Sequence, residues 1–186
     1  MAKDSKLIQE APPKRHRIWA ILIIALIGAV ILSSFVFTSS FASDCSHILD
    51  TYWDIHDQVL YTTEAGRHYI DLFWTHASEI GDIIMSDPEI TREALSIVLL
   101  FEPSLRALAD GKGDQVIVTE EMVTRVNAFL LTLELLAGPE LSTTIQTERA
   151  RTPFEPLIGT TFEEARLLLV GLPQYPLPEP LPTRFP

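Results

Sequence analysis

Histidine and aspartate are the residue types in this chain whose spacing could form a metal-binding site. Four histidines follow a long apolar segment and have aspartates near them in the sequence: His47, His56, His68 and His76, with Asp50, Asp54, Asp57 and Asp71. Residues three, four or seven apart share one face of a helix, so His47 or His68 with a nearby aspartate has the spacing of a metal site. No HExxH, paired ExxH or CxxC motif accompanies them. We therefore predict no metal site.

The same residues fit the pattern of ordinary amphipathic helices. His56 and His76 fall within apolar stripes, which predicts core histidines with a satisfied ring nitrogen. Asp50, Asp54 and Asp57 point away from the stripe around them, as the solvated face of a helix does. These residues are therefore expected to serve the fold.

Two other features fail as chemical motifs. The Gly-rich stretch 110–114 is not a phosphate loop, because Arg106 stands where the first glycine would be, and as a calcium loop it has Lys112 at a ligand position. Cys45 has no base nearby in the sequence. As the single cysteine, it is a candidate for a disulfide between two copies of the chain. We predict a protein that is not an enzyme and uses no cofactor.

An apolar segment near the N-terminus predicts one transmembrane helix. Ile18 to Phe37 supplies a nearly continuous apolar run of about the length that a ~30 Å hydrocarbon layer requires. Residues 1–17 hold five basic and two acidic residues, whereas the rest of the chain holds nine basic and 23 acidic residues. This asymmetry is the positive-inside pattern. We expect a cytoplasmic segment 1–17, an inner-membrane helix 18–40 in the lipid bilayer, and an extracytoplasmic C-terminal domain.

The apolar segment has a second interpretation and a further feature. Cleavage after Ala42 would make it a secretory signal and release the domain, although the run exceeds the roughly 7–15 apolar residues usual in such signals. Within it Ala25, Ala29 and Ser33 recur every fourth residue, a spacing that lets a second membrane helix approach closely. The length favours a retained anchor, and the spacing makes these three residues candidates for helix packing in the membrane.

Residues 44–171 predict an all-α domain of about five or six helices. Apolar residues recur at helical spacing, beginning with Ile48, Tyr52, Ile55 and Val59. Asp87-Pro88, Thr119 and Thr161 are start signals for later helices. Pro103 should bend or restart the third helix, whose nearly continuous apolar surface predicts neighbours on all sides. The segment 116–118 reads as an extended connector.

The last segment, 172–186, is rich in proline and predicts an extended polyproline II chain rather than a part of the core. It carries four apolar side chains that could dock on another protein: Tyr175, Leu177, Leu181 and Phe185. One interpretation is a solvated tail. The other is a docking strap that lies along a groove of another protein.

Residues 50–84 resemble a known bacterial domain. Leu60 precedes a Thr-rich turn, Gly66-Arg67 follows it, and the aromatic pair Phe73-Trp74 comes shortly before Ser78. The pattern is similar to the helical C-terminal domain of secreted or surface bacterial proteins that a Cys-Phe-Ile box often precedes, and that box is absent here. The resemblance implies a bacterial extracytoplasmic helical module, and it carries over no activity to this chain. Gly66 suits a tight helix junction and Phe73-Trp74 a core position.

The net charge and the lack of recognisable catalytic or metal-binding motifs together limit the classes of function that fit this sequence. A net charge of −11 argues against nucleic-acid binding, which needs clustered lysine and arginine. We expect a membrane-anchored protein-interaction module, a small accessory or structural subunit of a larger membrane complex. Its partner would be another membrane or extracytoplasmic protein, or a second copy of itself. The alternative is a ligand-binding or sensing extracytoplasmic domain without catalytic activity.

Overall fold

The computed structural model describes residues 42–151 and 153–170, which form six α-helices joined by short turns. The helices are α1 (Ala42–Ile55), α2 (Glu64–Ser86), α3 (Pro88–Ala109), α4 (Glu120–Leu136), α5 (Pro139–Arg151) and α6 (Phe162–Val170). A π-helical turn, His56–Leu60, extends α1, and 3₁₀ turns lie at Gly113–Gln115 and Glu155–Leu157. Within the described ranges no strand forms, so the predicted all-α fold is confirmed.

The predicted helix starts are confirmed by their caps. Asp87 accepts a hydrogen bond of 2.8 Å from the amide two residues on, and Pro88 occupies the first helical position of α3. Thr119 caps α4 through an amide three residues on, at 3.2 Å. Thr161 and Glu164 bond reciprocally at 3.0 and 2.8 Å, which is a capping box. The local sequence therefore determines where α3, α4 and α6 begin.

The predicted break at Pro103 is wrong. Helix α3 continues through Pro103 to Ala109. A proline inside a helix leaves the carbonyl four residues earlier without its amide partner, here the carbonyl of Leu99. Pro103 is exposed and the Leu99 side chain is half exposed, so water can reach this side of the helix. The helix tolerates the proline because it lies on the solvent side.

Helix α3 lies at the centre of the domain and packs against α1, α2, α4 and α6. Its buried side chains include Val98 and Phe101, both almost fully shielded from solvent. The Tyr52 hydroxyl of α1 donates a 3.0 Å hydrogen bond to the Val98 carbonyl. Burial raises the pKa of Tyr52 far above its ordinary value, so this hydroxyl stays a donor. The predicted α1 stripe of Ile48, Tyr52, Ile55 and Val59 is likewise buried.

The predicted extended connector before α4 is confirmed, and it has a partner that the sequence did not indicate. The Val118 amide donates to the Thr160 carbonyl at 2.9 Å, and the Phe162 amide donates to the Val116 carbonyl at 3.0 Å. Ile117 and Thr161 form the single antiparallel bridge among the described residues. This pairing joins the start of α4 to the start of α6.

Two expectations about burial are wrong in part. Phe73 is buried as predicted, but Trp74 is 54% exposed and stacks edge-on against Phe73 with ring centroids 5.3 Å apart. Adjacent residues of a helix point about 100° apart, so one member of the pair faces solvent. Leu99 is 50% exposed, and α3 is therefore open to solvent on one side rather than surrounded.

Several sequence predictions lie outside the described part of the chain. These are the membrane helix 18–40 with Ala25, Ala29 and Ser33, the tail residues Tyr175, Leu177, Leu181 and Phe185, and the side chain of Cys45. Among the helices that the structure does describe, α1–α6, none has the length and apolar content needed to cross a membrane.

Candidate functional site

The outer face of α4 carries an exposed apolar patch. Leu131, Leu135 and Leu136 are 44%, 84% and 53% exposed, and Ala128 beside them is exposed as well. Ala128, Leu131 and Leu135 are separated by three and four residues, so they lie in one row along the helix. We call these four residues the α4 apolar face. Isolated exposed leucines are ordinary on protein surfaces, whereas a row of them is typical of an interaction site.

The opposite side of α4 already packs in the core. It contributes six buried side chains, namely Met122, Val123, Val126, Phe129, Leu130 and Leu133. A helix that only needs to cover a core carries polar residues on its outer side. Because α4 is apolar on both sides of its C-terminal half, the core does not account for its outer leucines.

Ion pairs hold α4 to its neighbours on both flanks of this face. Arg125 donates from Nε and Nη2 to the Glu93 carboxylate of α3, at 3.1 and 2.9 Å, and from Nη2 to the Ser96 hydroxyl at 2.7 Å. The hydrogen bonds to Glu93 raise the pKa of Arg125 above its ordinary value. On the other flank Arg149 of α5 donates to Glu134 at 2.9 Å. These ion pairs hold α4, and with it the α4 apolar face, against α3 and α5.

A carboxylate also fixes the turn after α4. The Gly138 amide donates a 2.6 Å hydrogen bond to the Glu79 carboxylate of α2. This bond satisfies a backbone amide at the helix connection, where intrahelical partners are missing. It anchors the end of α4 that carries Leu135 and Leu136 to a helix from a distant part of the sequence.

A second cluster, of polar residues, lies between α2 and α5. His76 is buried, as predicted, with its Nε2 3.3 Å from the Thr144 hydroxyl. Glu148 is 8% exposed, lies 3.4 Å from Arg151 Nη1 and lies 3.9 Å from His68 Nε2. These contacts tie the two helices together.

The histidines and aspartates singled out in the sequence do not form one site. His68 faces Glu148 rather than Asp71, and His56 is half-buried with its Nδ1 2.8 Å from Asp57. Asp50, Asp54 and Asp57 are exposed, as predicted for a solvated face. In the part of the chain that the structure describes, no group of three or more His, Cys, Asp or Glu side chains could hold a metal ion.

The α4 apolar face was missed by the sequence reasoning, although a signal for it was present. The inner face of α4 is readily recognised from Met122, Val126, Phe129 and Leu133. After these are assigned to the core, Leu131 and Leu135 are left over on the opposite side of the helix. Comparison with protein families, curated proteins and solved structures finds no match for this chain.

Proposed function

We propose that this chain is a single-pass membrane protein whose helical outer domain binds another protein, as a small accessory or structural subunit of a larger membrane complex. The N-terminal segment 1–17 would lie in the cytoplasm and the C-terminal domain outside it. Its sequence supports the anchor through the apolar segment 18–40 and the basic cluster at 14–17 directly before it. The action proposed is binding, without catalysis or a cofactor.

The observation that carries this proposal is the exposure of Leu135 and its neighbours on α4. Burying a leucine side chain is worth about 1.5–3 kcal/mol, so a row of exposed leucines gains free energy when a partner covers it. The support from Glu93, Arg125 and Glu79 holds this row in place before any partner arrives. A rigid apolar surface loses less conformational entropy on binding than a flexible one.

We expect a variant with polar residues on the α4 apolar face to lose its companion proteins. The test compares the full-length chain, tagged at its C-terminus and solubilised from membranes in mild detergent, with L131Q/L135Q. Glutamine keeps helix propensity and adds no charge. The intact chain should migrate with companion proteins at high native mass, and the double variant should migrate alone.

Leu99→Gln is the matched control, because Leu99 is an exposed leucine of α3 that is not part of the α4 apolar face. This variant should keep the companion proteins. The proposed function fails if the intact chain migrates without companions. The assignment to α4 fails if L131Q/L135Q keeps the same native mass as the intact chain.

A further inference from the structure

Four exposed glutamates lie around helix α4, which carries the apolar face. Glu120 and Glu121 lie at its N-terminal end, and Glu140 lies just beyond its C-terminal end at the start of α5. Glu155 lies beside its middle, where its carboxylate accepts a 3.1 Å hydrogen bond from Asn127. None of these four carboxylates has an ion-pair partner within the described residues. Glu121 interacts electrostatically with Arg125, whereas the charges of the other three glutamates are not balanced by an ion pair in the part of the chain that the structure describes.

The cations close to this face are already neutralised. Arg125 donates from Nε and Nη2 to the Glu93 carboxylate, and Arg149 pairs with Glu134. Arg125 also interacts electrostatically with Glu121, so three of the four glutamates, Glu120, Glu140 and Glu155, have no cation to balance them among the described residues. The remaining unpaired carboxylates around α4 favour a partner with positive charge beside its apolar residues.

We propose that the α4 apolar face binds a helix of another protein that has a leucine-like apolar stripe and lysine or arginine residues at both ends. This inference rests on the proposed function and names the chemistry of its partner. Helix α4 has 17 residues and is therefore about 25 Å long at 1.5 Å per residue, which corresponds to a partner helix of about the same length. Recognition would follow the helix-in-groove mode, with anchors spaced three and four residues apart.

Three other occupants fit this charge pattern less well. A second copy of the domain brings the same glutamates, and its exposed Arg92, Arg106 and Lys112 pair with acids of their own segments. The chain's own tail, 172–186, has a single arginine and a single glutamate. An anionic membrane surface is repelled by the acidic border.

The test uses two synthetic helical peptides of about 18 residues with an identical leucine stripe. One carries two lysines at each end, and the other carries two glutamates at each end. The full-length chain is held in nanodiscs of phosphatidylcholine, and empty nanodiscs measure binding to lipid alone. Fluorescence anisotropy gives the dissociation constants at about 50 and 300 mM salt, because screening weakens attraction between exposed charges.

We expect the lysine-ended peptide to bind about tenfold or more tightly than the glutamate-ended one at low salt, with a smaller ratio at high salt. L131Q/L135Q should weaken its binding about tenfold or more. E120Q/E121Q should reduce the preference for lysine ends. Asp82→Asn, which removes an exposed acid of α2, and Leu99→Gln should leave both dissociation constants unchanged.

Equal affinity for the two peptides would overturn the inference, as would undiminished binding by L131Q/L135Q. A chain ending at Gly171 that binds the lysine-ended peptide more tightly than the intact chain would also overturn it, because the tail would then be the occupant. These failures are distinct from failure of the proposed function. The native-mass experiment asks whether any partner is bound, and the peptide experiment asks which charge the partner carries.

Discussion

Replacing Gly66 with alanine is expected to destabilise the domain by at least about 2–3 kcal/mol. A Cβ atom at this position would lie 2.2 Å from the Leu60 carbonyl oxygen and 2.6 Å from its Cα. Both atoms belong to the backbone of the turn that connects α1 to α2, so no flexible side chain can move aside. The helix junction itself would have to open, which would separate Leu60 and Ala65 from the core.

Gly81→Ala is the matched control for this prediction, since Gly81 lies in the interior of the same helix and an added Cβ meets no atom within 4 Å. Alanine there should stabilise the domain by about 0.5–1 kcal/mol, because glycine is the poorer helix former. Denaturant melts of the full-length chain in detergent measure both effects. Equal stability of the two variants would show that α1 and α2 do not approach closely at Gly66.

Replacing Phe162 with alanine is expected to cost about 3–5 kcal/mol of unfolding free energy. Phe162 is completely buried at the start of α6, with its ring centroid 6.3 Å from that of Phe101 in an edge-to-face pair. Such a pair stabilises beyond its buried area. Its loss would leave a cavity between α3 and α6, because α6 is short and has few other buried anchors. Thermal unfolding should occur roughly 10–20 °C lower.

Leu167→Ala provides the comparison on the same helix, because the Leu167 side chain is 54% exposed. Its expected effect is within about 0.5 kcal/mol. Circular dichroism melts distinguish the two variants. A loss of stability at Leu167 as large as that at Phe162 would mean that α6 packs through a different face.

The parts of the fold that local chemistry determines could be predicted from sequence. Asp87, Thr119 and Thr161 form caps with residues two or three positions away, so their neighbours in sequence contain the whole signal. The inner stripes of α1 and α4 follow from helical spacing in the same way. Gly66 was also correctly placed at a tight helix junction.

The features that depend on which side of a helix faces solvent could not be predicted from the local sequence. Pro103 breaks a buried helix but is tolerated here because it lies on the exposed side of α3. Trp74 is as apolar as Phe73, and only the packing of the other helices decides which of them is covered. The α4 apolar face is intermediate between these cases. The spacing leaves Leu131 and Leu135 outside the inner stripe, but only the structure shows that no described helix covers them.

The α4 apolar face also differs from the rest of the surface in its surroundings. Helix α4, which carries the outer leucines, is held to three other helices. Arg125 bonds to Glu93 of α3, Glu134 bonds to Arg149 of α5, and the Gly138 amide after α4 bonds to Glu79 of α2. An apolar surface on a fixed helix with carboxylates around it suits specific recognition of a charged partner better than nonspecific adhesion. This combination links the fold to the proposed role as a subunit.

Photocrosslinking from position 135 in intact cells tests the central claim most directly. Leu135 is 84% exposed, so a benzoylphenylalanine side chain fits there without disturbing the core. The same group at position 99 is the control, since Leu99 is also exposed, to 50%, on α3. The account predicts one adduct of defined mass with another protein from position 135, and none from position 99. The absence of an adduct from position 135, or identical adducts from both positions, would contradict it.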